Sequence, residues 1–88
     1  MAYIVLVEDD PDIRDLVEMS LARAGHEVAC AGNGAEALSV CATRTPDVVI
    51  MDVNMPVMSG LEAIRRLRSV PETAVVPIIV VSVGGRGP

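Results

Sequence analysis

Ile4-Val5-Leu6-Val7-Glu8-Asp9-Asp10 sets an unbroken aliphatic run directly against three acids. A short β-branched run without polar alternation is the pattern of a strand buried on both faces, as in a parallel sheet. Two more such runs lie downstream: Val48-Val49-Ile50-Met51 leads into Asp52, and Ile78-Ile79-Val80-Val81 leads into Ser82. A weaker strand spans Glu27 to Ala31, after the break at Ala24-Gly25. Between the strands the apolar spacing turns helical. Ile13, Leu16, Val17, Ser20, Leu21 and Ala24 mark a first helix, with Asp10 placed to cap it and Pro11 at its first position. A second helix is expected from about Gly34 to Thr43, ahead of Pro46. A third is expected from about Gly60 to Ser69, with Leu61, Ile64 and Leu67 turned inward and Arg65, Arg66 and Arg68 facing solvent.

Strands alternating with helices imply an α/β fold: a doubly wound parallel sheet with right-handed crossovers and helices on both faces. The chain has 88 residues, enough for one small domain. The (βα)3β pattern occupies residues 1–82, and residues 83–88 read as a Gly/Pro-rich tail. Hydrophobic residues make up 51% of the chain but only Tyr3 is aromatic, so the core is aliphatic. A net charge of −5 and the lack of stacking residues argue against direct nucleic-acid binding. No apolar run approaches a membrane span and no leader opens the chain, so a cytoplasmic protein without membrane contact is expected. Cys30 and Cys41 lack any Cys-x-x-Cys or ligand-pair spacing and read as small buried hydrophobes. All seven basic residues are arginine; there is no lysine.

In an open parallel sheet, ligands bind beyond the carboxyl ends of the strands. The strongest three strands deliver Glu8, Asp9 and Asp10, then Asp52, then Ser82 to that edge. Each has a bland reading when taken alone: an acidic loop that caps a helix, a turn aspartate, an ordinary serine. Together they point to chemistry. Carboxylates gathered in one crevice repel one another unless a cation sits among them, and a few hard oxygen ligands on separate elements favour Mg²⁺ completed by water and a phosphate.

The stretches Ile4 to Arg14, Met51-Asp52-Val53-Asn54-Met55-Pro56-Val57-Met58-Ser59-Gly60 and Pro77 to Ser82, in this order and spacing, resemble the receiver domain of two-component response regulators. The resemblance implies a flavodoxin-like sheet with strand order 2-1-3-4. It implies that Asp52 accepts a phosphoryl group from a sensor histidine kinase or a phosphotransfer protein. Asp9 would bind Mg²⁺ directly and Glu8 through water, with Asp52 and the backbone carbonyl of Asn54 as further ligands. The Ser82 hydroxyl would sense the phosphoryl group, and Asp10 would cap the helix. Such a domain is a phosphoacceptor in a signalling relay, not an enzyme acting on a separate substrate. The sequence also departs from the family. It has no lysine to hold the phosphoryl oxygens, Val83 stands where a small residue is common, and the fourth helix, fifth strand and fifth helix are not found. Impaired phosphotransfer is therefore expected. So is self-association through the bare edge strand at residues 77–82.

Gly32-x-Gly34-x-x-Ala37 after a strand, with Asp52 downstream, is a weak dinucleotide-binding pattern. An aspartyl phosphatase would need an acid two residues past its nucleophile, where this chain has Asn54. A receiver-like module that serves only dimerisation or interaction keeps the fold and gives up the chemistry. His26, with no partner nearby in sequence, reads as a surface residue, and Met51, Met55 and Met58 as packing.

Overall fold

The structure, a computed structural model, describes residues 1–52 and 58–81. Asn54, Ser82 and the tail 83–88, each given a role or an expectation above, lie outside the described residues. The elements run β1 (Tyr3–Val7), α1 (Pro11–Arg23), β2 (Glu27–Ala31), α2 (Gly34–Thr43), β3 (Val48–Asp52), α3 (Gly60–Arg68) and β4 (Ile78–Val81). The four strands form one parallel sheet in the order β2-β1-β3-β4, the order expected from the sequence. In register, Leu6 stands beside both Cys30 and Ile50, and Ile50 stands beside Ile79.

Alternation along these strands divides the apolar residues between two unequal layers. Tyr3, Val5, Val7, Val49 and Met51 form one cluster with Ala37 and Cys41 of α2 and Ala63 and Leu67 of α3. That is the dense core. Among the described residues the opposite face carries α1 alone, and no residue of α1 is fully buried. Leu16, expected on its inner stripe, is 66% exposed. Leu61 corrects a second expectation: it too is 66% exposed. The buried arc of α3 is Gly60, Ala63 and Leu67, and at 100° per residue Leu61 falls well to one side of it.

Local chemistry explains where each helix starts. Asp10 is the N-cap of α1, its Oδ1 accepting the amides of Asp12 and Ile13, and Pro11 opens the helix where no amide bond is lost. Asn33 caps α2 through the Glu36 amide, and Ser59 caps α3 through the Glu62 amide. A Cβ on Gly34 would lie 2.8 Å from the Met58 carbonyl oxygen, so a bare backbone is what lets α2 approach the entry to α3.

At the amino end of the sheet, Arg44 stacks on the Tyr3 ring at 3.9 Å and pairs with Glu27 at 2.6 Å. The Tyr3 amide donates to Asp47 Oδ2, and the Ala2 amide donates to His26 Nδ1. His26 is thus a half-buried acceptor at the sheet's edge rather than a bare surface residue. Arg68 is exposed, as expected, and also brings Nη1 within hydrogen-bond distance of the carbonyls of Thr73, Ala74 and Val76.

Candidate functional site

β1 and β3 are neighbours in the sheet, so their carboxyl ends emerge side by side. Glu8 and Asp9 follow the first, and Asp52 ends the second. The structure brings these three together: one carboxylate oxygen from each lies within 4.8 Å of the others. Glu8 and Asp52 are buried and Asp9 is half-buried, which makes Asp9 the member nearest solvent. Asp10 stands apart, committed to capping α1.

Glu8 is fixed at three points. Its amide donates to the Ala31 carbonyl, its carboxylate accepts the Asp10 amide at 2.9 Å, and its carbonyl accepts from Arg14 Nη1. Burial pushes the Glu8 carboxyl above the ordinary carboxylate range. The Asp10 amide pulls it back, while Asp9 and Asp52 push it further up. The cause is physical: charge is being concentrated where water cannot screen it. Sequence reasoning missed Arg14, whose contact is to a backbone atom that no side-chain motif encodes.

The donor set fits a small hard cation. Three carboxylates from two strands offer oxygens only, spaced to share one ion, with room left on the coordination sphere for water and a ligand. Nothing soft is among them: Cys30 and Cys41 do not belong to the cluster.

The glycine motif ahead of α2 has a different use. The Gly32 amide donates to Glu36 Oε1 while the Glu36 amide donates to Asn33, a reciprocal cap closed by the chain's own acid. A carboxylate therefore occupies the place where a dinucleotide's pyrophosphate would need to sit. A cavity of about 610 Å³ lies between α2 and the segment after α3, lined by Leu38, Cys41, Leu67 and Thr73 among others. None of the three clustered acids lines it. Among the described residues, no helix is long and apolar enough to cross a membrane.

Comparison with known proteins bears on the same residues. The family model for the response regulator receiver domain matches residues 4–86. The chain is 39% identical over 82 residues to the transcriptional regulatory protein AfsQ1 of Streptomyces coelicolor, covering 93% of this chain and 35% of that protein. It is 37% identical to the protein PilH of Pseudomonas aeruginosa, covering 93% of this chain and 68% of that protein. Among solved structures, the chemotaxis protein CheY4 of Vibrio cholerae superposes with a TM-score of 0.88 at 40% identity, over 91% of this chain and 67% of that one. The receiver domain of the sensor histidine kinase PA1611 from Pseudomonas aeruginosa, solved with a magnesium ion in its active-site cleft, gives 0.90 at 30% identity, over 94% and 68%. The chain thus spans about a third of AfsQ1 and about two thirds of the others.

Proposed function

The chain belongs to the response regulator receiver domain family of two-component signalling, and on that premise we propose that it accepts a phosphoryl group on Asp52. The observation that carries this reading is the convergence of Glu8, Asp9 and Asp52 at the adjoining ends of β1 and β3. Asp52 is the nucleophile: a carboxylate oxygen attacks the donor phosphorus, the bond from phosphorus to the donor breaks, and an acyl phosphate forms on the side chain. The donor is a phosphohistidine of a sensor kinase or of a phosphotransfer protein. Glu8, Asp9 and Asp52, with the Asn54 carbonyl, would hold Mg²⁺, which would neutralise charge on the transferring group. Ser82 supplies the hydroxyl that meets the phosphoryl oxygens.

Within the site the chain's own residues divide the work. Glu8 is held rigid through Ala31, Asp10 and Arg14, so its carboxylate presents a fixed negative wall to the cation. Asp9 is the least buried of the three acids. The role is that of a phosphoacceptor in a relay; turnover of a separate substrate is not part of it. The 88 residues themselves contain no lysine to grip the phosphoryl oxygens, so a preparation of these residues alone is expected to take up the phosphoryl group more slowly than a receiver that has one.

Incubation with Mg²⁺ and a small acyl phosphate donor, followed by intact-mass measurement, tests the reading. A phosphoryl adduct is expected, lost in Asp52→Asn and lost when the metal is chelated. No adduct under conditions that label a lysine-containing receiver overturns it. One alternative is a receiver fold kept as an interaction module. That alternative predicts Mg²⁺ binding without an adduct.

A further inference from the structure

We propose that the cavity between α2 and the segment after α3 is a binding site for an uncharged aromatic molecule of about ten to fifteen non-hydrogen atoms, seated against Cys41. The cavity holds about 610 Å³, within the range of sites that take a small ligand. Every residue lining it lies between Leu38 and Thr73, on α2, on α3 or in the segments just after them. Its walls are built by the middle of the chain, and β4 contributes none of them.

Three observations set the ligand's chemistry. The first is the floor, formed by Leu38, Cys41, Leu67 and Val70, with Cys41 and Leu67 sealed into the main core. Burial raises the Cys41 thiol above its ordinary range, so the sulfur stays protonated and the floor uncharged at neutral pH. A neutral sulfur is a polarisable contact for an aromatic ring. The cavity has no ring of its own, because Tyr3, the chain's one aromatic residue, does not line it.

The second observation is the rim, which carries one charge of each sign. Arg66 is held by Glu62 at 2.9 Å, and Glu72 is exposed. A charged ligand would meet its like together with its opposite, and would lose hydration to reach the floor, so a neutral body is favoured. The third is how few polar groups are open to a ligand. The Thr73 hydroxyl donates to the Leu67 carbonyl at 2.5 Å, and the Ser69 hydroxyl to the Arg66 carbonyl at 2.7 Å. Exposed Thr45 is left to meet a single hydroxyl on the ligand's outer edge.

Occupancy bears on the fold. Cys41 and Leu67 share a cluster with Val49 and Met51 of β3, so a ligand on the floor adds apolar contact to the layer beneath that strand. A molecule that binds only the folded chain raises its stability by mass action. Glu8, Asp9 and Asp52 do not line the cavity, so binding is independent of phosphoryl chemistry.

The probe is 2-naphthol, with 2-naphthoate and 2-(aminomethyl)naphthalene as charged counterparts. Titration at neutral pH, followed through the amide shifts of the labelled chain, is expected to give a Kd of about 0.1–1 mM for 2-naphthol. Shifts should centre on residues 38–45 and 66–73, and both charged counterparts should bind at least fivefold more weakly. Ala42→Trp fills the cavity from an exposed helix position and is expected to weaken binding at least tenfold with an unchanged circular dichroism spectrum. Asp52→Asn is expected to bind as the parent chain does. Where Ala42→Trp alters the spectrum, the shift map and the charge preference of the parent chain decide alone. Absence of shifts up to the solubility of 2-naphthol overturns the proposal. So do shifts centred elsewhere, a charged counterpart that binds as well, or binding undiminished in a folded Ala42→Trp.

Discussion

Glu8, Asp9 and Asp10 are consecutive yet do three different things, and the difference lies in what surrounds each carboxylate. Glu8 is buried and fixed, Asp9 is half-buried, and Asp10 caps α1. Cys30 shows the same dependence on surroundings. It is half-buried on β2 beside Glu18, and burial first, then that carboxylate, pushes its pKa up to about 11 from 9.0. A rise disfavours the thiolate, so at any pH below about 9 the reactive fraction drops about 100-fold, tenfold for each pH unit. Iodoacetamide labelling of the native chain, followed by peptide mass mapping, is expected to find Cys30 about 100-fold slower than an unhindered thiol at pH 8. Its rate should still be climbing at about pH 10, where an ordinary thiol has levelled off. Glu18→Gln should speed it. A Cys30 that labels like a free peptide thiol would contradict this.

At the level of elements, what was legible in the sequence was what is written locally. The Asp10-Pro11 start of α1, the bounds of α2 and the four aliphatic or near-aliphatic strands follow from neighbours a few positions apart, and the structure has them where expected. The acids of the site were legible for the same reason, each ending an apolar run. Their convergence is not written locally; it was expected only through the family resemblance, which supplies the strand order that makes β1 and β3 neighbours. The exposure of Arg68 was legible but its partners were not, because they are carbonyls five to eight residues on, in a segment with no helical or strand pattern. It gathers residues 73–76 against the end of α3, aided by the Thr73 hydroxyl donating to the Leu67 carbonyl at 2.5 Å. Arg68→Ala is expected to cost about 1–2 kcal/mol, a partly exposed guanidinium being worth less than a buried one. Thermal denaturation should show it, and Arg68→Lys should recover only part, since a single ammonium lacks the planar fork. If Arg68→Ala melts with the parent chain, the contacts contribute nothing in solution.

Across the whole molecule the two sides of the sheet are not equivalent. Among the described residues, one bears two helices over a dense aliphatic core; the other bears α1, which buries no residue completely. Opening free energy follows buried apolar contact. Native-state hydrogen exchange is therefore expected to rank β1 and β3 amides as slowest and those of α1 as markedly faster, by about tenfold or more. Equal protection in α1 and β1 would show that the helix is held by something other than its contacts with the sheet. The stacking of Arg44 on Tyr3 bears on how such a chain can be watched. With no tryptophan or phenylalanine, Tyr3 is the only intrinsic fluorophore, and it marks the end of β1 opposite Glu8. Five residues of strand, about 17 Å, separate the lamp from the acids. Tyrosine emission therefore reports on the floor of the sheet, and a change on adding magnesium would be a signal carried down the length of the strand.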